Sequence, residues 1–413
     1  MWESLATTHR QDRVLHGAAK VANTVVGVVM LPLWMVGQQL AGRLGQWLGR
    51  ASRDLGELPR PPQGEHSLDD IVTELQAMPH RLRPTWWATL RKNLVDLWLF
   101  MLTQKRQTVN FGYAYPRQFE HHCFDGGDRE PLAAMVARHD EPRPGLVVVH
   151  GILSSRLFDY VREIGVRAYY EWGFNVAVID LRSFGLTELL TPAPNTAGWK
   201  EGEDVLGAAR FLKELGSTSV GVLGISLGGS GALNACHHEE AEQVLDGGIL
   251  AIAAPADTRM AAAHIDKELP MSDPFYPFSR GFDLMLVSKV RNLGWPSRVA
   301  DFEALMDVVV APHYGISSDE IYERSSAVNH IADARVPVLI LHAEDDPIVP
   351  VEHARMLEEA AQGNDRVRVW IVPGGGHAAF DALDRRWTYA VYRLFFERLA
   401  RYEAAVTAAP LAA

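Results

Sequence analysis

Cysteine is scarce in this chain: Cys123 and Cys236 are the only two among 413 residues. That excludes a disulfide framework and a multi-cysteine zinc module. The phosphate-cradling signatures are absent as well, since no G-x-x-x-x-G-K-[ST] run occurs and no G-x-G-x-x-G follows a strand. No nucleotide cofactor is implied, and no cofactor of any kind is expected. The chain also lacks an excess of basic charge; its formal net charge is -11, which argues against a nucleic-acid partner, because such a surface must displace counterions from phosphates. Glycine and proline, at 34 and 23 residues, are too few for a collagen-like or disordered chain, and 47% of residues are hydrophobic. A length of 413 residues fits two or three structural units.

Charge and tryptophan are unevenly distributed. Residues 1–106 carry 13 Lys and Arg against 9 Asp and Glu, whereas residues 107–413 carry 27 against 42. Six of the eleven tryptophans (Trp2, Trp34, Trp47, Trp86, Trp87, Trp98) fall in the first part. Tryptophan beside Arg and Lys suits a membrane-water interface, where one end of the ring is apolar and the other wet. Residues 21–36 (VANTVVGVVMLPLWMV) form the main apolar run. It is shorter than the ~20 residues a spanning helix needs, although continuing to residue 44 lengthens it. Trp87, Leu90, Leu94, Leu97, Trp98 and Met101 recur at helical spacing with Arg91, Lys92 and Asp96 opposite, which predicts an amphipathic helix. Residues 58–65 (LPRPPQGE) read as a linker. The expectation is a helical region, 1–106, that meets a membrane surface on its cytoplasmic face. The alternative is a soluble cytoplasmic protein whose two helices pack on its own body.

From about residue 117 the texture changes to short β-rich runs: 145–150 (GLVVVH), 174–180 (FNVAVID), 219–225 (SVGVLGI), 248–253 (GILAIA), 336–342 (VPVLILH) and 367–372 (VRVWIV). They are apolar on both faces, as parallel strands covered by helices must be. Helical patterns at 160–172, 202–215 and 351–362 alternate with them, which predicts an α/β fold with a mostly parallel central sheet flanked by helices. Residues 257–330 break the rhythm with a Phe- and Met-bearing, helix-like insertion, read as a cap. The core then comprises residues 107–256 and 331–413.

The chemistry centres on Gly224-Ile225-Ser226-Leu227-Gly228, a G-x-S-x-G elbow preceded by an apolar strand and followed by a small-residue helix, LGGSGALNA. A hydroxyl is a weak nucleophile at neutral pH, so Ser226 needs a base and the base needs an orienting acid. His377, in the glycine-rich PGGGH loop after the last strong strand, is the candidate base. The acid is expected in Glu344-Asp345-Asp346-Pro347. Asp346 is preferred because the proline after it fixes a turn. Asp345 and Glu344 then read as solvated turn residues, and Asp257 is the other topological option. The oxyanion donors should be the N-H of Leu227, at the helix N-terminus, and that of Ile152, after His150-Gly151. His150 reads as a packing residue that fixes this loop. The adjacent pairs His121-His122 and His237-His238 would point apart on a strand and are not read as metal sites. Both cysteines read as buried thiols.

These residues resemble the α/β-hydrolases and, within them, the YheT-like group, bacterial relatives of membrane-anchored abhydrolase-domain esterases and lipases. The narrower resemblance rests on His150-Gly151, on GISLGG at 224–229, on Tyr322, Ser325, Ser326 and Ala327, and on Asp345-Asp346-Pro347. It implies Ser226 as nucleophile, Asp346 as acid and His377 as base, and an N-terminal hydrophobic anchor. The chain departs from the group's pattern at Leu153-Ser154-Ser155 and at Arg182-Ser183-Phe184-Gly185. The function expected is hydrolysis of carboxylic esters, lipid-like or of medium chain length, through an acyl-enzyme. Acyl transfer to an alcohol by the same triad is one alternative, and a non-catalytic membrane-bound interaction protein is another.

Overall fold

The computed structural model describes residues 66–84, 115–267 apart from 153, the positions 282, 286, 289 and 290, and residues 293–401. The two N-terminal apolar stretches, 21–44 and 87–101, lie outside the described residues, as do Phe275, Phe278 and Met285 of the insertion. Among the described residues, no helix is long and apolar enough to cross a membrane.

Eight strands form one sheet: β1 (Glu120–Asp125), β2 (Pro131–Ala137), β3 (Arg143–Val149), β4 (Asn175–Ile179), β5 (Ser217–Ile225), β6 (Ile249–Ile252), β7 (Val338–Ala343) and β8 (Val367–Val372). Their spatial order is β1-β2-β4-β3-β5-β6-β7-β8. Strands β1 and β2 pair antiparallel, β2 pairs antiparallel with β4, and every other pairing is parallel. This is the α/β-hydrolase fold. The central strands are apolar and buried at nearly every position, because helices cover both faces. The first two strands were not read in the sequence. EHHCFD on β1 is an edge segment with only Phe124 buried, so it carries no apolar alternation.

Eight helices matter to the argument: α1 (Leu68–Gln76), α2 (Asp159–Tyr170), α3 (Trp199–Glu214), α4 (Leu227–Ala235), α5 (Thr258–Ile265), α6 (Ser318–Ser325), α7 (Glu352–Ala360) and α8 (Phe380–Leu399). In α1, Leu68, Ile71, Val72 and Leu75 are buried at i, i+3, i+4 and i+7. The Ser67 hydroxyl caps it by accepting the Asp70 N-H at 3.2 Å. This helix lies against α8 and β8. Asp69 holds Arg368, and both carboxylate oxygens of Glu74 hold Arg398, at 2.7 and 2.9 Å. The described part of the N-terminal region is therefore docked on the body rather than separate from it. Between β6 and β7 the chain runs through α5, short helical turns from Phe302 to Tyr314, and α6.

A fully buried ion pair joins the turn after β4 to α3. Arg182, after β4, donates to Asp204 on α3 from Nε at 2.7 Å and Nη2 at 2.6 Å. Neither side chain is exposed, and Gly127 supplies a further N-H to Asp204 at 2.9 Å.

Candidate active site

Ser226 stands between β5 and α4 with φ 56 and ψ -117, a conformation that costs a β-carbon residue about 1–3 kcal/mol. The turn is held because the Ser226 N-H donates to Ile252 O at 2.8 Å and its own carbonyl accepts from Ser230 at 2.9 Å. Close packing dictates the flanking glycine. A β-carbon on Gly228 would sit 2.6 Å from the carbonyl oxygens of both Val149 and His150. The first turn of α4 is thereby pressed against the end of β3. Leu227 opens that helix, so its N-H is one of the donors with no carbonyl of the same helix to meet.

The loop after β3 runs beside the serine. A β-carbon on Gly151 would lie 3.3 Å from that of Ser226. The Gly151 N-H is engaged, donating to the Tyr160 hydroxyl at 2.9 Å, so Ile152 carries the next backbone donor along the loop. His150 fixes this loop through a single tautomer. Its Nε2 accepts the Leu181 N-H at 3.1 Å, which puts the ring proton on Nδ1, and Nδ1 donates to Gly151 O at 2.7 Å. Burial pushes its pKa down to about 4, with Lys289 and Arg156 adding to the effect, so the ring stays neutral.

Across the sheet, His377 Nδ1 meets Asp346 Oδ2 at 2.9 Å and Oδ1 at 3.1 Å. Asp346 Oδ1 also accepts the N-H groups of Ile348 and Val349, at 2.9 and 3.0 Å. Burial opposes the charge on this carboxylate. The facing His377, with its hydrogen bond, and His342 outweigh that opposition and hold the pKa below the usual aspartate value. With Nδ1 engaged by the acid, Nε2 of His377 is the nitrogen left to exchange a proton. Ser226, Asp346 and His377 follow the carboxyl ends of β5, β7 and β8 respectively, so the carboxyl-terminal end of the parallel sheet carries all three.

Other side chains singled out in the sequence fall partly as read and partly elsewhere. Asp345 is not merely a solvated turn residue: its Oδ1 accepts the Gly376 N-H at 2.8 Å and fastens the histidine loop to the acid turn. Glu344 is solvent-facing, 3.9 Å from Arg355. Asp257 caps α5 by accepting the Met260 N-H at 2.8 Å. Cys123 is exposed, because β1 is the sheet edge, whereas Cys236 is buried and its thiol pKa is pushed up to about 12 by burial. His237 and His238 sit in a turn after α4, not on a strand, and their rings lie together with centroids 4.6 Å apart. Gly374 was visible only as part of a glycine-rich loop. The backbone of Arg83 crosses it so closely that a β-carbon there would be 2.1 Å from the Arg83 carbonyl carbon. No sequence signal linked residue 83 to residue 374.

Residues 146–390 match the Alpha/beta hydrolase family. A monoacylglycerol lipase of Saccharomyces cerevisiae is 25% identical over 271 residues, which are 60% of this chain and 58% of the lipase. A Synechocystis protein carrying a provisional esterase name is 25% identical over 337 residues, covering 74% of this chain and 89% of that protein. Among solved structures, a Pyrococcus furiosus esterase superposes with a TM-score of 0.48 at 17% identity, over 68% of this chain and 92% of its own.

Proposed function

Because the chain belongs to the alpha/beta hydrolase family, we propose that it is a serine hydrolase cleaving carboxylic esters through an acyl-enzyme. The observation that carries this reading is the His377–Asp346 pair at the same carboxyl-terminal end of the sheet as a serine held at positive φ. Ser226 Oγ attacks the ester carbonyl while its proton passes to His377 Nε2. The N-H groups of Leu227 and Ile152 face the oxyanion. Collapse of the tetrahedral intermediate returns the proton to the leaving alcohol, and water then repeats the sequence on the acyl-enzyme.

The segment 257–330 is read as a cap over this site. A lipid-like or medium-chain acyl ester suits its apolar content, which includes the buried Phe282 and Leu286. The name of the yeast relative points the same way, and GISLGG at 224–229 with Asp345-Asp346-Pro347 supports a place in the YheT-like group. The basic, tryptophan-rich residues 1–106 support a membrane surface as partner.

Ser226→Ala is the direct test. The variant is expected to lose labelling by a fluorophosphonate probe, and its ester turnover should fall by about 10⁶. Persistent labelling of the folded variant would sink the assignment.

A further inference from the structure

The acid turn is held by more than its own backbone. On β7, fully buried His342 places Nε2 2.8 Å from Val349 O. A carbonyl only accepts, so Nε2 carries the proton and Nδ1 presents a lone pair. That Nδ1 is buried and has no hydrogen-bond partner among the described residues. On α7, fully buried His353 accepts at Nδ1 from the N-H groups of Ala256 and Asp257, at 3.2 and 3.4 Å. Its proton therefore sits on Nε2, which is likewise buried and without a partner among the described residues. One ring offers an unused donor and the other an unused acceptor. Native structures rarely leave such groups unpaired, and one bridging water satisfies both.

We propose that His342 and His353 are positioning residues for Asp346. They form a neutral pair, joined through a single buried water, that ties the root of the 257–330 segment to the acid turn. The proposal rests on the reading of Asp346 as the triad acid. From His353 the connection starts at the backbone of Ala256 and Asp257, where α5 begins. Through His342 it reaches Val349, whose N-H, with that of Ile348, fixes Asp346 Oδ1. From α5, His264 Nε2 donates to Pro347 O at 3.0 Å and holds the same turn from the other side.

Neutrality is part of the design. His342 Nε2 lies 3.7 Å from Asp346 Oδ2, so a charged ring there would compete with His377 for the carboxylate. His342 is faced by Asp346, His377 and Glu352, and His353 by His342, Asp257, Asp346 and His264. Burial dominates at both rings and lowers their pKa, to about 4 for His353.

The test compares His342→Leu, His353→Leu, the double variant and His342→Gln with wild type, with Ser226→Ala and Asp346→Asn as controls. Each Leu variant is expected to lower kcat for an ester about tenfold at unchanged KM, and the double variant should be no worse than either single one. The acid limb of kcat/KM should move to lower pH, because a loosened carboxylate stabilises the imidazolium less. Gln at 342 keeps a donor and an acceptor and should restore both readouts. Nitrogen-15 spectra of the wild-type histidine rings need no variant to fold, and both rings should remain neutral with the proton on Nε2 from pH 5 to about 8. Wild-type kcat and pH profile in the Leu variants would overturn the proposal, and so would a spectrum showing either ring protonated on Nδ1. Failure of the triad reading would show separately, as undiminished turnover by Ser226→Ala or Asp346→Asn.

Discussion

At Asp346 one carboxylate receives two backbone N-H groups and the imidazole of His377. Three acidic side chains stand in a row in the sequence, and only the turn geometry separates them. Pro347 turns the chain so that the next two amides fold back on Asp346, while Asp345 reaches Gly376 and Glu344 faces solvent. The consequence is a specific contrast between two neighbours. Asp346→Asn presents an amide donor to His377 Nδ1 and drives the ring proton onto Nε2, where it cannot accept from Ser226. Steady-state ester hydrolysis by this variant is expected to fall about 10⁴ in kcat with the fold intact by circular dichroism. Asp345→Asn keeps an acceptor for Gly376 and should lose far less. Equal losses in the two variants would show that the acid is not Asp346.

Among the elements, β5 and α4 were the most legible. A strand apolar on both faces, a serine between glycines and a small-residue helix are all local patterns, and Ser226 sits where they predict. The edge strand β1 is not legible, since one buried residue leaves no periodicity to read, whereas PLAAMVA on β2 is buried at six of its seven positions and is an apolar run that the sequence reading passes over. Helix α1 changes how the N-terminal region should be dissected. Ile71 and Leu75 are fully buried, and each is worth about 1.5–3 kcal/mol in the core. Deleting residues 1–106 would remove them together with the Asp69–Arg368 and Glu74–Arg398 contacts, whereas deleting 1–65 leaves them in place. The shorter deletion is expected to keep the thermal midpoint of the full chain and to move the protein from the membrane fraction to the soluble one. An unchanged distribution between the fractions would count against membrane attachment through residues 1–65. The longer deletion should lower the midpoint by several degrees, consistent with ~4–8 °C per kcal/mol in small domains and less in larger ones.

For the molecule as a whole, buried neutral histidines set the response to acid. His150 and His353 have folded pKa values of about 4, below the 6.5 of an exposed ring. Between those values the unfolded chain binds more protons than the native one. The stabilisation is complete above pH 6.5 and is lost as pH falls toward 4, on the order of 3 kcal/mol per ring. Asp346 is lowered instead from 3.8, so its contribution persists until pH falls below that range. Urea midpoints measured at pH 7.5, 6 and 5 should therefore decline steadily. A flat profile would mean that these rings accept protons without unfolding.

The scarcity of cysteine, the split of charge, the parallel strands and the serine elbow all followed from residues near one another in the chain, because periodicity and turn chemistry act over a few positions. Tertiary structure decided which of three carboxylates meets a histidine 31 positions away, and that Arg83 closes over Gly374. It also left His342 and His353 with complementary unpaired nitrogens. Those choices depend on loops converging at the carboxyl-terminal end of a sheet, where burial makes each unpaired polar group costly, and no local pattern encodes that convergence.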